Sequence, residues 1–441
     1  MIYTFPKGGI HPPDTKFAAT TPIETAPVPD IVYVPISQHL GVPANPIVKR
    51  GDAVKVGTQI AEKTGFISTF IHSPVSGTVQ KLDKMMCASG FYQDVIVIKT
   101  EGDEWEEHID TSEQLLSDIA LSSEEIPARV LECGVVGLGG ATFPSNVKFM
   151  VPDGKKAEEI IINAAECEPY LTADHRLILE KAEEIFVGIE IIKKAVGVEK
   201  AYIGVEKNKP DAIELCRRVA EKYPQTTVVP LEVKYPQGGE KQLIKAITGK
   251  EVPPGALPIE VGSIVNNVGT VYAVYEAVQK HKPLIERIVT ITGKALATHA
   301  NYKVRVGTPI EFLIDAVGGI PDNTEKVIAG GPMMGKTIAS LNAPVVKGTS
   351  GILLMSSNES HRQESENCIR CGKCVTACCV GLEPYILMNF AERDMVDELQ
   401  EYNVMQCVEC GSCSYSCPAH RPLLDYIRLG KYSVREHTKK K

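Results

Sequence analysis

Eight cysteines with a repeated spacing form the strongest chemical pattern in the sequence. They lie in two runs of the form C-x₂-C-x₂-C-x₃-C: Cys368, Cys371, Cys374 and Cys378, then Cys407, Cys410, Cys413 and Cys417. Three thiolates at this spacing can bind one face of an iron–sulfur cube, and where two cubes lie side by side the fourth cysteine of each run ligates the other cube. The pattern therefore predicts two [4Fe–4S] clusters. Cluster 1 is held by Cys368, Cys371, Cys374 and Cys417, and cluster 2 by Cys407, Cys410, Cys413 and Cys378.

Cys379 directly follows Cys378 and leaves two candidates for one ligand position. The second run has Pro418 after its fourth cysteine, whereas the first run has Cys379 there. The spacing favours Cys378. A structural zinc site is the alternative for the whole set, but such sites use C-x₂-C pairs and would leave further cysteines in both runs unexplained. Nine of the 13 cysteines lie between Cys368 and Cys417, and this crowding favours a metal centre in a reducing compartment over a disulfide framework.

A glycine-rich segment further upstream could bind a phosphate. Gly137, Gly139 and Gly140 precede a segment of helical pattern that carries Lys148. Closely spaced glycines let backbone N–H groups approach a phosphate, and the N-terminus of a following helix favours its negative charge. Taken alone, the pattern is more typical of an ordinary turn.

Polar residues also follow three apolar, strand-like runs, at the edge where α/β sheets usually bind ligands. They lie in residues 163–169, 235–241 and 266–269. Three such segments together with the glycine segment indicate a binding site rather than four unrelated loops.

The remaining pattern predicts a multidomain protein of the α/β and α+β classes. Residues 1–30 are rich in Pro, Thr and Gly and predict an extended arm rather than a packed element. Short β-rich runs in residues 31–100 resemble the two halves of a lipoyl-like β barrel-sandwich. Phe66 stands at the position of that family's cofactor-bearing lysine, and Lys63 lies three residues away. We therefore expect this fold without a swinging arm.

Four further segments, from residue 101 to residue 430, differ in their sequence patterns. Residues 101–126 hold ten Asp or Glu residues and no Lys or Arg, which predicts a solvated linker or helix face, with a partner-docking strip as the alternative. Residues 126–281 alternate strand-like and helical runs, as expected of an α/β domain with a largely parallel sheet. Residues 284–343 predict a small unit of strands around one helix, and residues 360–430 a helix-rich two-cluster domain.

Length and charge exclude several classes of protein. At ~150 residues per domain, the 441 residues suggest about three folding units. The formal net charge is −8, which argues against a nucleic-acid-binding protein. No apolar run approaches the ~18 to 20 residues needed to span a bilayer, and the first residues do not form a signal peptide. We expect a cytoplasmic protein without a membrane span.

The glycine segment and the three polar segments, in their order, resemble the flavin-binding domain of the NADH-oxidising subunit of respiratory complex I. That family has G-x-G-G-A-G-F-P, N-A-D-E-x-E-P, a Tyr-containing G-E-E loop and N-N-V, where this chain has GLGGATFP, NAAECEP, YPQGGEK and NNV. The whole chain, from FPKGGIHPPD at residues 5–14, more closely resembles the C subunit of the Rnf complex, a membrane-bound, ion-translocating ferredoxin:NAD⁺ oxidoreductase. This resemblance implies that residues 126–281 bind FMN and NAD(H), that residues 284–343 form an SLBB-type β-grasp unit, and that residues 360–430 are ferredoxin-like.

The resemblance also assigns roles position by position. The residues implied to bind FMN are Gly137, Gly139, Gly140, Lys148, Asn163, Glu166, Tyr235, Gly239, Glu240, Asn266 and Asn267. Phe143 is implied to stack on NAD(H), and Glu168 to bind its hydroxyl groups. Four positions depart from the family pattern and change the charge or shape beside the nucleotide: Leu138, Thr142, Ala165 and Lys241.

A chain with FMN and iron–sulfur clusters can convert between electron pairs and single electrons, because NAD⁺ accepts a hydride while a cluster passes one electron. No side chain need act as a general acid or base. The resemblance implies an iron–sulfur partner that donates electrons, ferredoxin as the indirect source, integral membrane subunits that move the ion, and a peripheral position on the cytoplasmic face of the membrane. The alternatives are a cobalamin-reducing or hydrogenase-associated NADH flavoprotein, and a non-enzymatic iron–sulfur electron-transfer adaptor.

Overall fold

The computed structural model describes residues 2–440, in which an N-terminal arm crosses several packed units. The arm and the first unit contain β1 Ile23–Thr25, β2 Ile31–Pro35, β3 Asn45–Pro46, β4 Ala53–Val54, β5 Gln59–Glu62, β6 Ile71–His72, β7 Gly77–Met86 and β8 Tyr92–Thr100. Strands β2 and β4–β8 surround a core of Val, Ile and Ala side chains, in one sheet of order β2-β8-β7-β4 and another of order β3-β5-β6. This is the expected barrel-sandwich.

The second unit is a parallel sheet covered by helices on both faces. It contains α1 Glu125–Glu132, α2 Ser145–Phe149, β9 Glu159–Ala164, α3 Ala173–Val196, β10 Lys200–Glu206, α4 Pro210–Ala220, β11 Thr226–Leu231, α5 Glu240–Thr248, β12 Ser263–Asn267 and α6 Val268–Lys280. The strand order is β11-β10-β9-β12 and every pair is parallel. Ile160 and Ile162 pack against α3 and α6, whereas Ile161 between them packs on the α5 side. A strand buried on both faces explains the unbroken apolar run in the sequence.

The third unit is built on another sheet, and the N-terminal arm contributes one strand to it. It contains β13 Glu286–Thr292, β14 Ala300–Arg305, α7 Ile310–Ala316, β15 Thr324–Ala329, β16 Lys336–Thr337, β17 Gly351–Ser356 and α8 Ser357–Ser360. The sheet order is β1-β14-β13-β17-β15-β16, so the arm contributes an edge strand through β1. Within residues 284–343 the strands surround one helix, α7, and confirm a β-grasp arrangement.

The C-terminal unit is helical, as its composition predicts. It contains α9 Lys373–Ala377, α10 Pro384–Glu392, α11 Val396–Glu401, α12 Ser412–Tyr415 and α13 Leu423–Lys440. Leu387, Leu399 and Ile427 form its core between α10, α11 and α13. Among residues 2–440, no helix combines the length and the apolar character needed to cross a membrane.

The arm differs from the expectation that it would not pack. It is extended, yet Phe5 is 2% exposed and Ile10 and Ala18 are also buried. Tyr3 pairs with Leu231 at the edge strand β11, and Ile10 pairs with Tyr235. The Pro- and Gly-rich composition predicts irregular backbone correctly but does not reveal that this backbone fills grooves between the other units.

The acidic segment 101–126 also makes more contacts than a free linker. Ile109 is buried, and Trp105 forms an isolated β-bridge with Val56. Asp110 forms an ion pair with the Lys280 ammonium at 2.8 Å. The segment therefore fastens the barrel-sandwich to the end of α6, while most of its carboxylates remain in solvent.

Candidate functional site

The glycine loop lies at the carboxyl edge of the parallel sheet, between two anchored ends. The Gly137 N–H donates to the Phe143 carbonyl at 2.8 Å, which closes the loop. The Leu138 N–H donates to Thr270 Oγ1 at 2.9 Å, and Arg287 donates to the Leu138 carbonyl at 2.9 Å. Gly139 and Gly140 are exposed at the top of the loop. Buried hydrogen bonds thus fix the base of the loop, while the N–H groups of Gly139 and Gly140 remain available, as a phosphate site requires.

Asn163 and Asn267 bring two of the predicted polar segments together. They are register partners on the adjacent parallel strands β9 and β12, where the strand order reverses direction. Ligands bind in α/β sheets at this kind of crevice. A Cβ on Gly139 would lie 2.8 Å from the Asn267 Cβ, so the loop can rest on Asn267 only because residue 139 has no side chain.

Four buried polar atoms near these segments lack a protein partner. They are Asn266 Nδ2, Ser145 Oγ, Asn146 Oδ1 and Gln237 Nε2. Buried polar groups are nearly always hydrogen-bonded. The unpaired ones here lie at the end of β12, at the start of α2 and in the 235–241 segment. They therefore suit a polar ligand such as FMN. Among them, the sequence assigned an FMN-binding role only to Asn266. Ser145, Asn146 and Gln237 could have been found from their position inside or directly after the two loop motifs.

Lys148 and Glu240 meet although 92 positions separate them. The Lys148 Nζ lies 3.3 Å from Glu240 Oε1 and donates to the Val265 carbonyl at 2.9 Å. Glu240 begins α5, directly after Gly239, whose Cβ would lie 2.5 Å from Gln242 Oε1. This ammonium therefore stands beside the end of β12 and is partly exposed, in a position that can face a phosphate or ribityl chain.

The two acidic residues of the 163–169 segment are engaged by the protein itself. Glu166 accepts the N–H groups of Asp174 and His175 at 2.8 and 3.2 Å and so caps α3. Glu168 accepts the N–H groups of Met333 and Met334 at 3.1 and 2.7 Å, and burial raises its pKa to about 7. Each carboxylate is therefore held in place by two backbone N–H groups of the protein.

Lys16, in the N-terminal arm, contacts the same 163–169 segment through its ammonium. Its ammonium donates to the carbonyls of Glu166, Glu168 and Leu171 at 2.8, 2.8 and 2.6 Å. Burial lowers the pKa of Lys16, whereas the Glu166 charge raises it in part. Sequence reasoning missed Lys16 because nothing in the arm's composition predicts a contact 150 positions away.

Tyr235 connects the flavin-type segments to the cysteine-rich unit. Its side chain is 2% exposed, and its hydroxyl donates to the Cys410 carbonyl at 2.8 Å. Burial raises the pKa of Tyr235, and the charges of Glu168, Cys167 and Cys410 nearby raise it further. The predicted FMN segment and a predicted cluster 2 ligand are therefore one hydrogen bond apart.

Cysteines from the two runs lie beside one another. Burial raises the pKa of Cys413 to about 12, and Cys407, Cys410 and Cys378 are the neighbouring thiols that raise it further. Cys374 has Cys417 from the second run as its neighbouring thiol.

Backbone N–H groups point at two of the cluster 2 sulfurs. Leu382 N–H donates to Cys378 Sγ at 3.2 Å, and Glu409 N–H donates to Cys407 Sγ at 3.4 Å. Such N–H to sulfur bonds are typical of cluster thiolates, so the donor set fits a [4Fe–4S] cube.

Across residues 2–440, no three His, Cys, Asp or Glu side chains converge closely enough to hold one metal ion. The four thiolates of a [4Fe–4S] cube bind four different iron atoms and do not converge on a single one.

Four family models match the chain in the expected order. They are the RnfC barrel sandwich hybrid domain over residues 3–103, the Nuo51 FMN-binding domain over residues 130–276, the SLBB domain over residues 288–337 and the 4Fe-4S dicluster domain over residues 360–418. These matches confirm the predicted fold class. They also confirm FMN and paired [4Fe–4S] clusters as the cofactors of these domains.

Two relatives match almost from end to end, and both are C subunits of oxidoreductase complexes. The first, from the proton-translocating ferredoxin:NAD(+) oxidoreductase complex of Clostridium ljungdahlii, is 45% identical, over 99% of this chain and 95% of that protein. The second, from the Na(+)-translocating ferredoxin:NAD(+) oxidoreductase complex of Acetobacterium woodii, is 43% identical, over 97% of this chain and 96% of that protein.

Among solved structures, a chain of the NAD⁺-reducing [NiFe]-hydrogenase in its H₂-reduced state has a similar fold. The TM-score is 0.51 at 19% identity, over 70% of this chain and 63% of that chain. The similarity concerns the fold, and the level of identity carries no argument about substrate. The full-length relatives and the four domains in their order lead to one conclusion: the chain belongs to the family of C subunits of Rnf-type ion-translocating oxidoreductase complexes.

Proposed function

We propose that this chain is the NAD(H)-binding electron-transfer subunit of a ferredoxin:NAD⁺ oxidoreductase complex that moves ions across a membrane. When bound, FMN supplies the exchange between a hydride and single electrons, and the two clusters supply one-electron carriers. The contact between Tyr235 and Cys410 is the observation that carries the proposal, because it joins the flavin segment to a cluster 2 ligand.

The residues around the glycine loop would bind FMN. The N–H groups of Gly139 and Gly140 would face the phosphate, with the Lys148 ammonium as counter-charge. Asn163, Asn266 and Asn267, at the sheet edge, would hold the ring and ribityl chain. Glu166 would act by capping α3, and Glu240 by orienting Lys148. Phe143, partly exposed at the end of the loop, would stack on the nucleotide.

The two clusters would play different parts because their ligands have different surroundings. Cluster 2 would lie next to the flavin, since Tyr235 touches Cys410. Cluster 1 would lie nearer the surface, since Cys371 is exposed and Ile369 beside it is 67% exposed. Electrons from an iron–sulfur partner subunit would thus arrive at the Cys368–Cys371 side. Integral membrane subunits of the same complex would carry the ion path, and this chain would lie against them on the cytoplasmic face.

An anaerobic reconstitution tests this function. The full chain is loaded with iron, sulfide and FMN and then titrated with NADH while the visible spectrum is recorded. We expect about eight irons per chain, bleaching of the flavin band and partial reduction of the cluster signal.

Other outcomes would contradict the proposal in different ways. FMN binding without any response to NADH would favour a flavoprotein with another electron donor, such as a cobalamin-linked one. About eight irons without FMN binding would leave an electron-transfer adaptor.

A further inference from the structure

Three large apolar side chains are exposed on two neighbouring loops of the barrel-sandwich. Leu40 and Val42, between β2 and β3, are 51% and 52% exposed, and Phe66, between β5 and β6, is 69% exposed. The Val42 N–H donates to the Ile67 carbonyl at 3.1 Å, and a Cβ on Gly65 would lie 3.5 Å from the Val42 side chain. The two loops therefore pack together, and their three exposed side chains are called the apolar patch below.

The Leu40 end of the apolar patch lies against the glycine loop of the flavin unit. The Leu40 N–H donates to the Thr142 carbonyl at 3.1 Å. Thr142 has φ +55° and directly precedes Phe143, the residue proposed above to stack on the nucleotide. The apolar patch thus borders the part of the glycine loop that is proposed to contact NAD(H).

Lys347 fixes both loops against the flavin unit. Its backbone N–H donates at 3.1 Å to Oε1 of Gln38, which lies two residues before Leu40. Its ammonium donates to the Phe70 carbonyl at 3.2 Å and to the Gly134 carbonyl at 2.7 Å. These bonds hold the apolar patch in place beside the glycine loop, and a surface that is already ordered loses little conformational entropy when it binds a ligand.

We propose that Leu40, Val42 and Phe66 form the binding surface for the adenine ring of NAD(H). The proposal rests on the function proposed above, because it requires the nicotinamide ring to lie on FMN at the sheet edge. The adenosine end of the dinucleotide then extends away from that edge past Phe143, and the apolar patch continues the site in that direction.

The chemistry of the patch suits a nucleobase. The flat face of adenine stacks on aromatic rings, and this stacking needs no charged partner. Exposed apolar side chains grouped beside a binding site often mark a ligand-binding surface. Phe66 stands where the lipoyl-like family has its cofactor-bearing lysine, so the same turn would here contact a nucleotide instead of carrying a cofactor.

Two probes separate the ends of the dinucleotide: ADP-ribose has the adenosine without nicotinamide, and reduced nicotinamide mononucleotide has the nicotinamide without adenosine. The full chain, reconstituted with FMN, iron and sulfide, is titrated with ADP-ribose by calorimetry. It is also titrated anaerobically with reduced nicotinamide mononucleotide while flavin bleaching is recorded. We expect F66A to bind ADP-ribose at least about fivefold more weakly than the wild type. The concentration of the mononucleotide that half-bleaches the flavin should not shift. F66Y keeps an aromatic ring and should retain the wild-type affinity for ADP-ribose.

F91A is the matched control. Phe91 is 74% exposed in the same unit, at the turn between β7 and β8, and its backbone bonds are local, to Cys87 and Ser89. F91A removes a similar area of exposed aromatic surface away from the loops that contact the glycine loop. It should leave the affinity for ADP-ribose and the bleaching by NADH unchanged.

Three results would overturn the proposal. If F66A binds ADP-ribose as tightly as the wild type, the apolar patch does not bind adenine and serves another contact, such as a partner protein. If F66A weakens the response to both probes equally, Phe66 supports the shape of the glycine loop and has no role specific to adenine. If neither NADH nor the mononucleotide bleaches the flavin of the wild type, the proposed function itself fails and the adenine surface fails with it. Bleaching of the wild type by NADH therefore shows which of the two has failed.

Discussion

Asn266 and Asn267 are adjacent on β12 but stand in opposite situations. Asn266 Nδ2 is buried and has no partner, whereas Asn267 donates to Asp174 at 2.6 Å and accepts the Gly269 N–H at 2.9 Å as the cap of α6. We expect N266A to weaken FMN binding about tenfold while leaving the stability of the FMN-free chain nearly unchanged, because the lost group was unsatisfied there. FMN fluorescence quenching and thermal unfolding measure the two effects.

N267A is the matched control for this prediction. It removes a helix cap and a partly buried hydrogen bond, so it should destabilise the FMN-free chain by about 1 to 2 kcal/mol. If N266A lowers the thermal midpoint as much as N267A and leaves the FMN affinity unchanged, Asn266 is structural and does not bind the flavin.

At the scale of single residues, the sequence predicted which segments converge but not which partner each side chain contacts. Asn163 and Asn267 could be placed together because parallel strands end at one sheet edge. Glu166 and Glu168 could not be assigned in the same way. Their partners are the start of α3 and the Met333–Met334 amides, and the second of these contacts spans 165 positions. Only the packed structure decides whether a carboxylate faces a ligand or caps a neighbouring element.

At the scale of elements, the arm is the feature that sequence periodicity describes least. Alternating strand and helix patterns predicted β9, α3 and β10, because each element buries its own apolar face. The arm has no such period, since residues 2–30 bury isolated side chains in grooves made by other units. Its importance is visible only in contacts such as that of Gly8 with the Cys378 peptide.

Replacing Gly8 tests what the arm does for the cysteine-rich unit. Gly8 has φ +69°, and its Cβ would clash with the Cys378 carbonyl at 2.4 Å. We expect G8A to cost about 2 to 4 kcal/mol, through strain at positive φ and displacement of the arm. Cluster 2 should consequently release iron to a chelator at least about tenfold faster than in the wild type, since 1.4 kcal/mol corresponds to about a factor of ten.

Gly51 provides the control because it shares the backbone strain without the contact. Its φ is +92°, and a Cβ there would have nothing within 4 Å. G51A should cost only about 1 to 2 kcal/mol, from the left-handed backbone alone, and should leave the rate of iron release unchanged. Equal rates of iron release in G8A and G51A would show that the arm does not support cluster 2.

At the scale of the whole molecule, Lys347 lies where three units meet. It precedes β17 of the β-grasp unit and is 1% exposed. Its Nζ donates to the Gly134 carbonyl of the flavin unit at 2.7 Å and to the Phe70 carbonyl of the barrel-sandwich at 3.2 Å. Lys347 therefore joins the three units through hydrogen bonds to backbone carbonyls, and its burial makes the stability of the chain depend on pH.

Burial lowers the pKa of Lys347 to about 7, well below its value of 10.5 in the unfolded chain. Between these two values the unfolded state binds one more proton than the folded state, so this residue makes stability rise with pH by at most roughly 1.4 kcal/mol per unit. Below about pH 7 both states carry the proton and the full cost of burial remains. We expect the thermal midpoint of the wild type, measured from about pH 7 to about pH 9.5, to rise relative to that of K347M.

The variant K282M is the control for K347M, because it also removes a buried lysine. Burial alone would lower the pKa of Lys282, but the carboxylates of Glu276 and Glu286 outweigh burial and raise it. Lys282 therefore stays charged in both states up to about pH 9.5, and K282M should destabilise the chain by the same amount at every pH in this range. The difference between wild type and K347M should shift with pH while the difference between wild type and K282M stays constant. Parallel curves for all three proteins would mean that Lys347 remains charged where the units meet.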